Sequence, residues 1–205
     1  MTQASDSGGT LWVFGYGSLM WRPGFEFAEQ QVATVRGYHR ALCVYSHVHR
    51  GTPEKPGLVL GLDRGGSCKG IAFCVPAAAA EATIAYLRGR EQVTSVYRER
   101  HLQARLADGR RVMALSYAAD RCHGQYAGRL ERLELERLVL QGHGASGANP
   151  DYVRNTQAHL AQLGIRDSTL DWLVQRLQDI ASQSVQAPAG SARELAEDLT
   201  ALSNV

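Results

Sequence analysis

The chain has 205 residues, 44% of them hydrophobic and 20% charged, with a formal net charge of +2. That length suits one domain with its own core, the composition is that of a globular protein, and no apolar run is long enough to span a bilayer, so no membrane partner is expected. The basic residues are arginine except for Lys55 and Lys69, but they are scattered among acids without a dense basic block, which argues against a nucleic-acid surface.

Met1 to Thr10, MTQASDSGGT, lacks the basic start and apolar core of a signal peptide and is expected to be a flexible leader. The four cysteines, Cys43, Cys68, Cys74 and Cys122, form no C-x-x-C pair. Together these features suggest a reducing, cytoplasmic setting.

Leu11 to Phe14 is an apolar strand ended by Gly15. Val32–Val35 and Tyr38–Tyr45 read as two strands around a turn at Gly37, and Ser46 to Gly57 as a long loop rich in turn formers. Leu58–Leu62 and Gly70–Val75 read as short strands joined by a hairpin turn at Gly65-Gly66. Pro76 opens an alanine-rich helix that runs to about Gly89, with Ile84 and Leu87 at helical spacing. Two further strands, His101–Leu106 and Arg111–Tyr117, meet at an Asp-Gly hairpin signal.

The last third has helical periodicity. ERLELERLVLQ stops at Gly142; a second helix takes Asn149 as N-cap and Pro150 in its first turn and ends at Gly164. A third opens with a near capping box at Ser168 and Asp171 and carries the stripe Leu170, Leu173, Val174, Leu177 and Ile180. Strands first, one helix between them and helices last predict an α+β domain over residues 11–182. Residues 183–205 are expected to form a tail with a loose final helix at SARELAEDLTAL.

The segment VFGYGSLMW, Val13 to Trp21, lacks the third glycine of a dinucleotide fingerprint and both glycines of a hydrolase nucleophile elbow, so Ser18 is not an evident nucleophile. Two readings stand: a plain strand-to-turn corner, or a glycine turn whose bare N–H groups cradle a carboxylate or oxyanion. Glu91 sits at the end of the alanine-rich helix, where a carboxylate opposes the helix dipole; it is either a solvated acid paired with Arg88, Arg90 or Arg98, or a functional one. His47 and His49 lack companions at metal-ligand spacing, and nothing visible activates Cys43. The loop GHGASGANPDY, Gly142 to Tyr152, is either an ordinary connection or one whose open N–H groups face a ligand.

VFGYGSLMW, HRGTPEKPG, LRGREQVTSVY and GASGANPDYV, in this order and at these intervals, resemble the ChaC family of γ-glutamylcyclotransferases, which act on glutathione. The resemblance covers roughly Trp12 to Ile180. It implies a γ-glutamylcyclotransferase-like fold, a small mixed β-barrel flanked by helices, with no metal and no organic cofactor. It also implies glutathione or a related γ-glutamyl peptide as the small-molecule partner, and it leaves the oligomeric state open.

By the same resemblance Tyr16, Gly17, Ser18 and Leu19, with Val13, Phe14 and Gly15 before them, hold the γ-glutamyl group largely through backbone N–H donors. Glu91 is the catalytic acid–base. His49 and Arg50 are candidates for the glycyl carboxylate, and Tyr117 for a hydrogen bond to substrate. The chain departs from the family's pattern between Glu91 and Tyr97, where relatives often carry glycine and this chain has Gln92-Val93-Thr94-Ser95-Val96, and at Ala148, where a bulkier or stiffer residue is common. The reaction implied closes the substrate's own α-amine onto its γ-carbonyl, so no protein nucleophile is required. Alternatives are a cyclotransferase for other γ-glutamyl amino acids or amines, and a non-catalytic γ-glutamyl-binding regulator, which would have no need of Glu91.

Overall fold

The computed structural model describes residues 10–91 and 94–186. The leader up to residue 9, Gln92 and Val93, and the tail from residue 187, including the expected final helix, lie outside the described residues. Five strands close into a barrel: β1 (Leu11–Gly15), β2 (Glu29–Ser46), β3 (Gly57–Val75), β4 (Tyr97–Leu106) and β5 (Arg111–Ala119), in the order β1-β3-β2-β4-β5. The closing seam is the parallel pair β1–β5, with Trp12 opposite Ala114 and Val13 opposite Leu115; every other pair in the barrel is antiparallel. Four helices surround it: α1 (Ala77–Glu91), α2 (Arg132–Gln141), α3 (Asn149–Gln162) and α4 (Ser168–Gln186). This is the expected α+β barrel. Among the described residues no helix is long and apolar enough to cross a membrane.

β1 alternates as a strand buried on both faces should. Phe14 packs into the main core with Phe73, Leu62 and Val35, while Val13 faces Leu87 of α1 together with Val75 and Leu115. α1 thus seats on the barrel wall through Leu87, which is fully buried, and the half-buried Ile84. The stripe expected on α4 is buried at Leu170, Leu173 and Leu177 and packs in the main core with Leu138, Val153 and Leu160.

Two expected turns are corrected. β2 and β3 are single strands of 18 and 19 residues, paired along their lengths. Gly37 lies opposite Gly65 and Gly66 between the pairs Arg36–Ser67 and Tyr38–Arg64. Their φ angles of 82°, 103° and 69° are those of a β-bulge, which bends the ladder and lets it wrap. A bulge and a hairpin turn both require left-handed residues, so the glycines alone do not tell one from the other. The expected hairpin at Asp108-Gly109 is present, with Gly109 at φ 94°.

Two helix starts also differ. α4 is capped by Asp167, whose Oδ1 accepts from the N–H groups of Thr169 and Leu170 at 3.2 Å, one residue ahead of the expected Ser168 box. Asn149 is not an N-cap but the first residue of α3, with Ala148 in the cap position. Its fully buried side chain turns to β3 instead, accepting from Leu58 N–H at 2.7 Å and donating to Leu58 C=O at 2.8 Å.

Replacing Asn149 with alanine leaves the buried N–H and C=O of Leu58 without these partners. The expected loss is about 3 kcal/mol, more than an N-cap substitution would cost, measured by urea denaturation with the m-value unchanged.

Candidate functional site

A cleft of about 780 Å³ opens where β1 ends, walled by the turn after β1, the end of α1, the loop after β2 and one face of α3. Tyr16, Gly17, Ser18, Leu19, His49, Arg50, Glu91 and Tyr117 all line it. Val13 and Phe14 do not: both are wholly buried beneath it, and Gly15 pairs with Ile71 in the barrel. The order is set by the strand. Val13 to Gly15 belong to the ladder, and the chain becomes available to a ligand only where the ladder stops.

After Gly15 the backbone makes a single 3-10 turn over Ser18–Met20, in which Met20 N–H donates to Gly17 C=O and Arg22 N–H to Ser18 C=O. The turn is tight enough that a Cβ on Gly15 would stand 3.0 Å from that of Leu19. Among the described residues the N–H groups of Gly17, Ser18 and Leu19 donate to no protein acceptor. The turn is therefore a row of donors beside a cavity, held from behind by Arg40, whose Nε donates to Tyr16 C=O at 2.6 Å.

Glu91 is the last residue of α1, and its side chain is 18% exposed. Burial pushes its carboxyl above the ordinary glutamate range, and the neighbouring Arg90 guanidinium, 3.2 Å away, pulls partly back. The expected pairing with Arg90 is present, but the carboxylate is largely buried rather than solvated. Arg88 pairs instead with Glu99, and Arg98 with Asp120. Arg90 also donates to Ser18 Oγ at 2.9 Å and to Arg22 C=O at 2.6 Å, so one guanidinium ties the helix end to the turn.

The floor carries a cluster of three tyrosines, Tyr16 buried and Tyr97 and Tyr152 half-buried, which sequence spacing does not disclose. Tyr97 donates its hydroxyl to Leu60 C=O at 2.7 Å, and Tyr152 accepts from Leu60 N–H at 3.1 Å. Burial raises the phenols of Tyr16, Tyr97 and Tyr152, so all three stay neutral hydrogen-bonding groups. Tyr152, Asn155, Thr156 and His159 recur at helical spacing and turn one face of α3 to the cleft, with His159 stacked on Trp21 at 4.5 Å. Periodicity within VRNTQAHL could have shown that face; nothing local says what it faces. Thr156 Oγ1 is buried beside Tyr152 in a geometry that makes no hydrogen bond.

The loop after β2 is docked on the glycine-rich loop before α3. Ala145 N–H donates to Val48 C=O and Ser146 N–H to His49 C=O. A Cβ on Gly142 would stand 2.5 Å from Arg50 C=O, and one on Gly144 2.4 Å from Val48 C=O. These glycines permit close loop-to-loop contact, and at Ala145 and Ser146 the N–H groups serve the neighbouring loop. The contact places His49, whose Nδ1 lies 3.0 Å from Ser146 Oγ, and Arg50, which donates to Ala148 C=O and packs on the Tyr152 ring at 5.5 Å. Tyr117 is buried against Glu99, 3.4 Å away.

Cys43 is wholly buried, and burial pushes its thiol up to about 12, which removes it as a nucleophile. His47 stacks on Tyr45. Among the described residues no group of three or more His, Cys, Asp or Glu side chains is placed to hold a metal. Between Glu91 and Tyr97, Ser95 adopts φ 57°, a left-handed conformation that favours glycine.

A family model described as ChaC-like protein matches residues 11–180. Among curated relatives, the glutathione-specific gamma-glutamylcyclotransferase of Escherichia coli K12 is 34% identical over 176 residues, 86% of this chain and 76% of that one. Glutathione-specific gamma-glutamylcyclotransferase 1 of Homo sapiens is 34% identical over 147 residues, 70% of this chain and 66% of that one. The crystal structure of a glutathione-specific gamma-glutamyl cyclotransferase from yeast superposes with a TM-score of 0.75 over 84% of this chain and 97% of that one. At 21% identity this last likeness is one of fold.

The raised Glu91 carboxyl has a consequence for stability. The folded state keeps its proton to higher pH than the unfolded chain, so stability falls as pH rises from the unfolded value through the folded one. Glu91→Gln, which cannot ionise, is expected to melt a few degrees above the wild type at neutral pH (on the order of 3 °C), and the gap should close below about pH 4. Thermal denaturation at the two pH values checks this.

Proposed function

The chain belongs to the ChaC-like family, and on that premise we propose that it is a γ-glutamylcyclotransferase that cleaves glutathione to 5-oxoproline and Cys-Gly. The observation that carries the reading is one cleft containing a desolvated carboxylate, Glu91, and a turn of unspent backbone N–H donors, Gly17 to Leu19.

The substrate supplies its own nucleophile. Its α-amine attacks its γ-carbonyl carbon, the new C–N bond closes a five-membered lactam, and the amide C–N bond to cysteine breaks. The attacking nitrogen starts as an ammonium and ends as a lactam N–H, so it sheds two protons; the departing amine leaves as an ammonium and takes up two. A carboxylate whose proton affinity is raised by burial accepts the first readily and returns it, a role worth about 10²–10⁴ in rate. The tetrahedral intermediate bears an oxyanion, which the N–H groups of Gly17 to Leu19 are placed to receive at roughly 3 kcal/mol per well-aimed donor. Holding the tethered ends folded in the cleft recovers part of the intramolecular advantage.

Three arginines, Arg22, Arg50 and Arg90, line the cleft, which suits a substrate with two carboxylates. His49 and Arg50, fixed by the loop-to-loop contact, are assigned to the glycyl carboxylate, and Tyr117 to the wall beside Glu91. The reaction as written uses no metal or cofactor. The cytoplasm is the proposed location, in keeping with the free thiols of Cys43, Cys68 and Cys122.

Incubation with glutathione, followed by mass detection of 5-oxoproline, is expected to give product, with γ-glutamyl-alanine as the comparison substrate. No product from either would overturn the reading, and product from γ-glutamyl-alanine alone would move the substrate to other γ-glutamyl compounds. Glu91→Gln is expected to lower kcat by about 10²–10⁴-fold. Undiminished activity in that variant would leave the enzyme and remove its base.

A further inference from the structure

The γ-glutamyl unit carries an ammonium and a carboxylate on the same carbon, and the cleft carries the opposite charges side by side. Arg90 Nε and Glu91 Oε1 are 3.2 Å apart, and both residues line the cleft with side chains 23% and 18% exposed. We propose that Arg90 binds the α-carboxylate of the substrate while Glu91 receives its α-ammonium. Two neighbours in sequence then read two neighbours on one carbon. The assignment rests on the cyclotransferase reading above and deepens it.

Three observations favour Arg90 for this task. The first is its place: a cation that meets the α-carboxylate must stand next to the group that meets the α-amine, and Arg90 is the arginine paired with Glu91. Arg50 is turned elsewhere, to Ala148 C=O and the Tyr152 ring.

The second is rigidity. Nη1 donates to Arg22 C=O at 2.6 Å and to the Tyr86 hydroxyl at 3.0 Å, with Pro23 C=O at 3.4 Å, and Nη2 donates to Ser18 Oγ at 2.9 Å. The guanidinium is thus held in place before substrate arrives, so little ordering is left to be done on binding.

The third is spare capacity. A guanidinium has five N–H groups. Among the described residues the Nη1 pair and one on Nη2 are taken, which leaves Nε–H, facing Glu91 without a well-formed hydrogen bond, and the second N–H on Nη2. Nε and Nη2 are the pair that grip a carboxylate elsewhere in this protein, Arg88 on Glu99 and Arg176 on Glu136. With substrate bound, charges alternate around the site: guanidinium, substrate carboxylate, substrate ammonium, Glu91.

The test compares glutathione with γ-aminobutyryl-Cys-Gly, which lacks only the α-carboxylate and can still close to pyrrolidinone. The wild type is expected to favour glutathione in kcat/KM by about 100-fold or more. Arg90→Met should shrink that ratio by about tenfold or more, chiefly through KM for glutathione, while Arg90→Lys, which keeps the charge, retains part of it. Arg137→Met, which removes an arginine that pairs with Glu134 away from the cleft, should leave the ratio at its wild-type value. Equal losses on both substrates in Arg90→Met would overturn the assignment and reduce Arg90 to a clasp, as would a wild type that does not distinguish the two. A wild type inactive on both would overturn instead the cyclotransferase reading beneath it.

Discussion

The edge of β3 at Leu58 and Leu60 sets the terms for the rest of the molecule. On one side this segment pairs with β2, through Tyr45–Leu58 and Leu42–Leu60; on the other, β1 reaches only Ile71 to Val75. The N–H and C=O groups of Leu58 and Leu60 thus face a buried region with no strand to meet them, a situation proteins rarely leave unresolved. Here side chains stand in for the missing strand. Asn149 takes both groups of Leu58, Tyr152 takes the N–H of Leu60, and Tyr97 takes its C=O. Those bonds draw α3 and β4 against the edge and leave a cleft between them, with the Leu58 and Leu60 groups satisfied beneath it.

The electrostatics of the site follow from burial in that cleft. A carboxylate at the C-terminal end of α1 opposes the helix dipole and loses hydration, and both effects favour its neutral form. Arg90 offsets part of the cost by pairing with it and fastens α1 to the turn after β1. The three tyrosines around it remain neutral because burial holds their protons, while the same burial raises the proton affinity of the Glu91 carboxyl. In the proposed reaction the protein contributes a base, donors and confinement, and Cys43 is kept inert by burial.

Much of this was legible in the sequence where the signal is local. The alanine-rich helix, the Asp-Gly hairpin and the α4 stripe rest on neighbouring residues and appear as expected. What escaped depended on partners far along the chain. Gly37, Gly65 and Gly66 announce left-handed backbone, but only the register of β2 on β3 decides that they form a bulge. Asn149 has the residue type and place of an N-cap, yet the N–H and C=O of Leu58, 91 residues away, claim its amide.

The site divides the same way. Glu91 and the Gly17–Leu19 turn were reached through motifs, whereas the clasp of Arg90 on Ser18 and Arg22, the support of Arg40 behind Tyr16, and the cleft face of α3 exist only in three dimensions. Val13 and Phe14 show the converse: they belong to the same motif but serve the core. The glycine density of Gly142 to Gly147 is plain in the sequence, but the close contact with Val48 to Arg50 that needs it exists only in three dimensions.

The most direct test of the central claim is a crystal structure of Glu91→Gln with glutathione bound, in which turnover is slowed and the substrate is caught before closure. The expected result is the α-nitrogen within hydrogen-bond distance of residue 91 and the γ-carbonyl oxygen directed at the N–H groups of Gly17 to Leu19. A γ-glutamyl group lying elsewhere in the cleft, with its amine turned away from residue 91 and its carbonyl away from that turn, would contradict it.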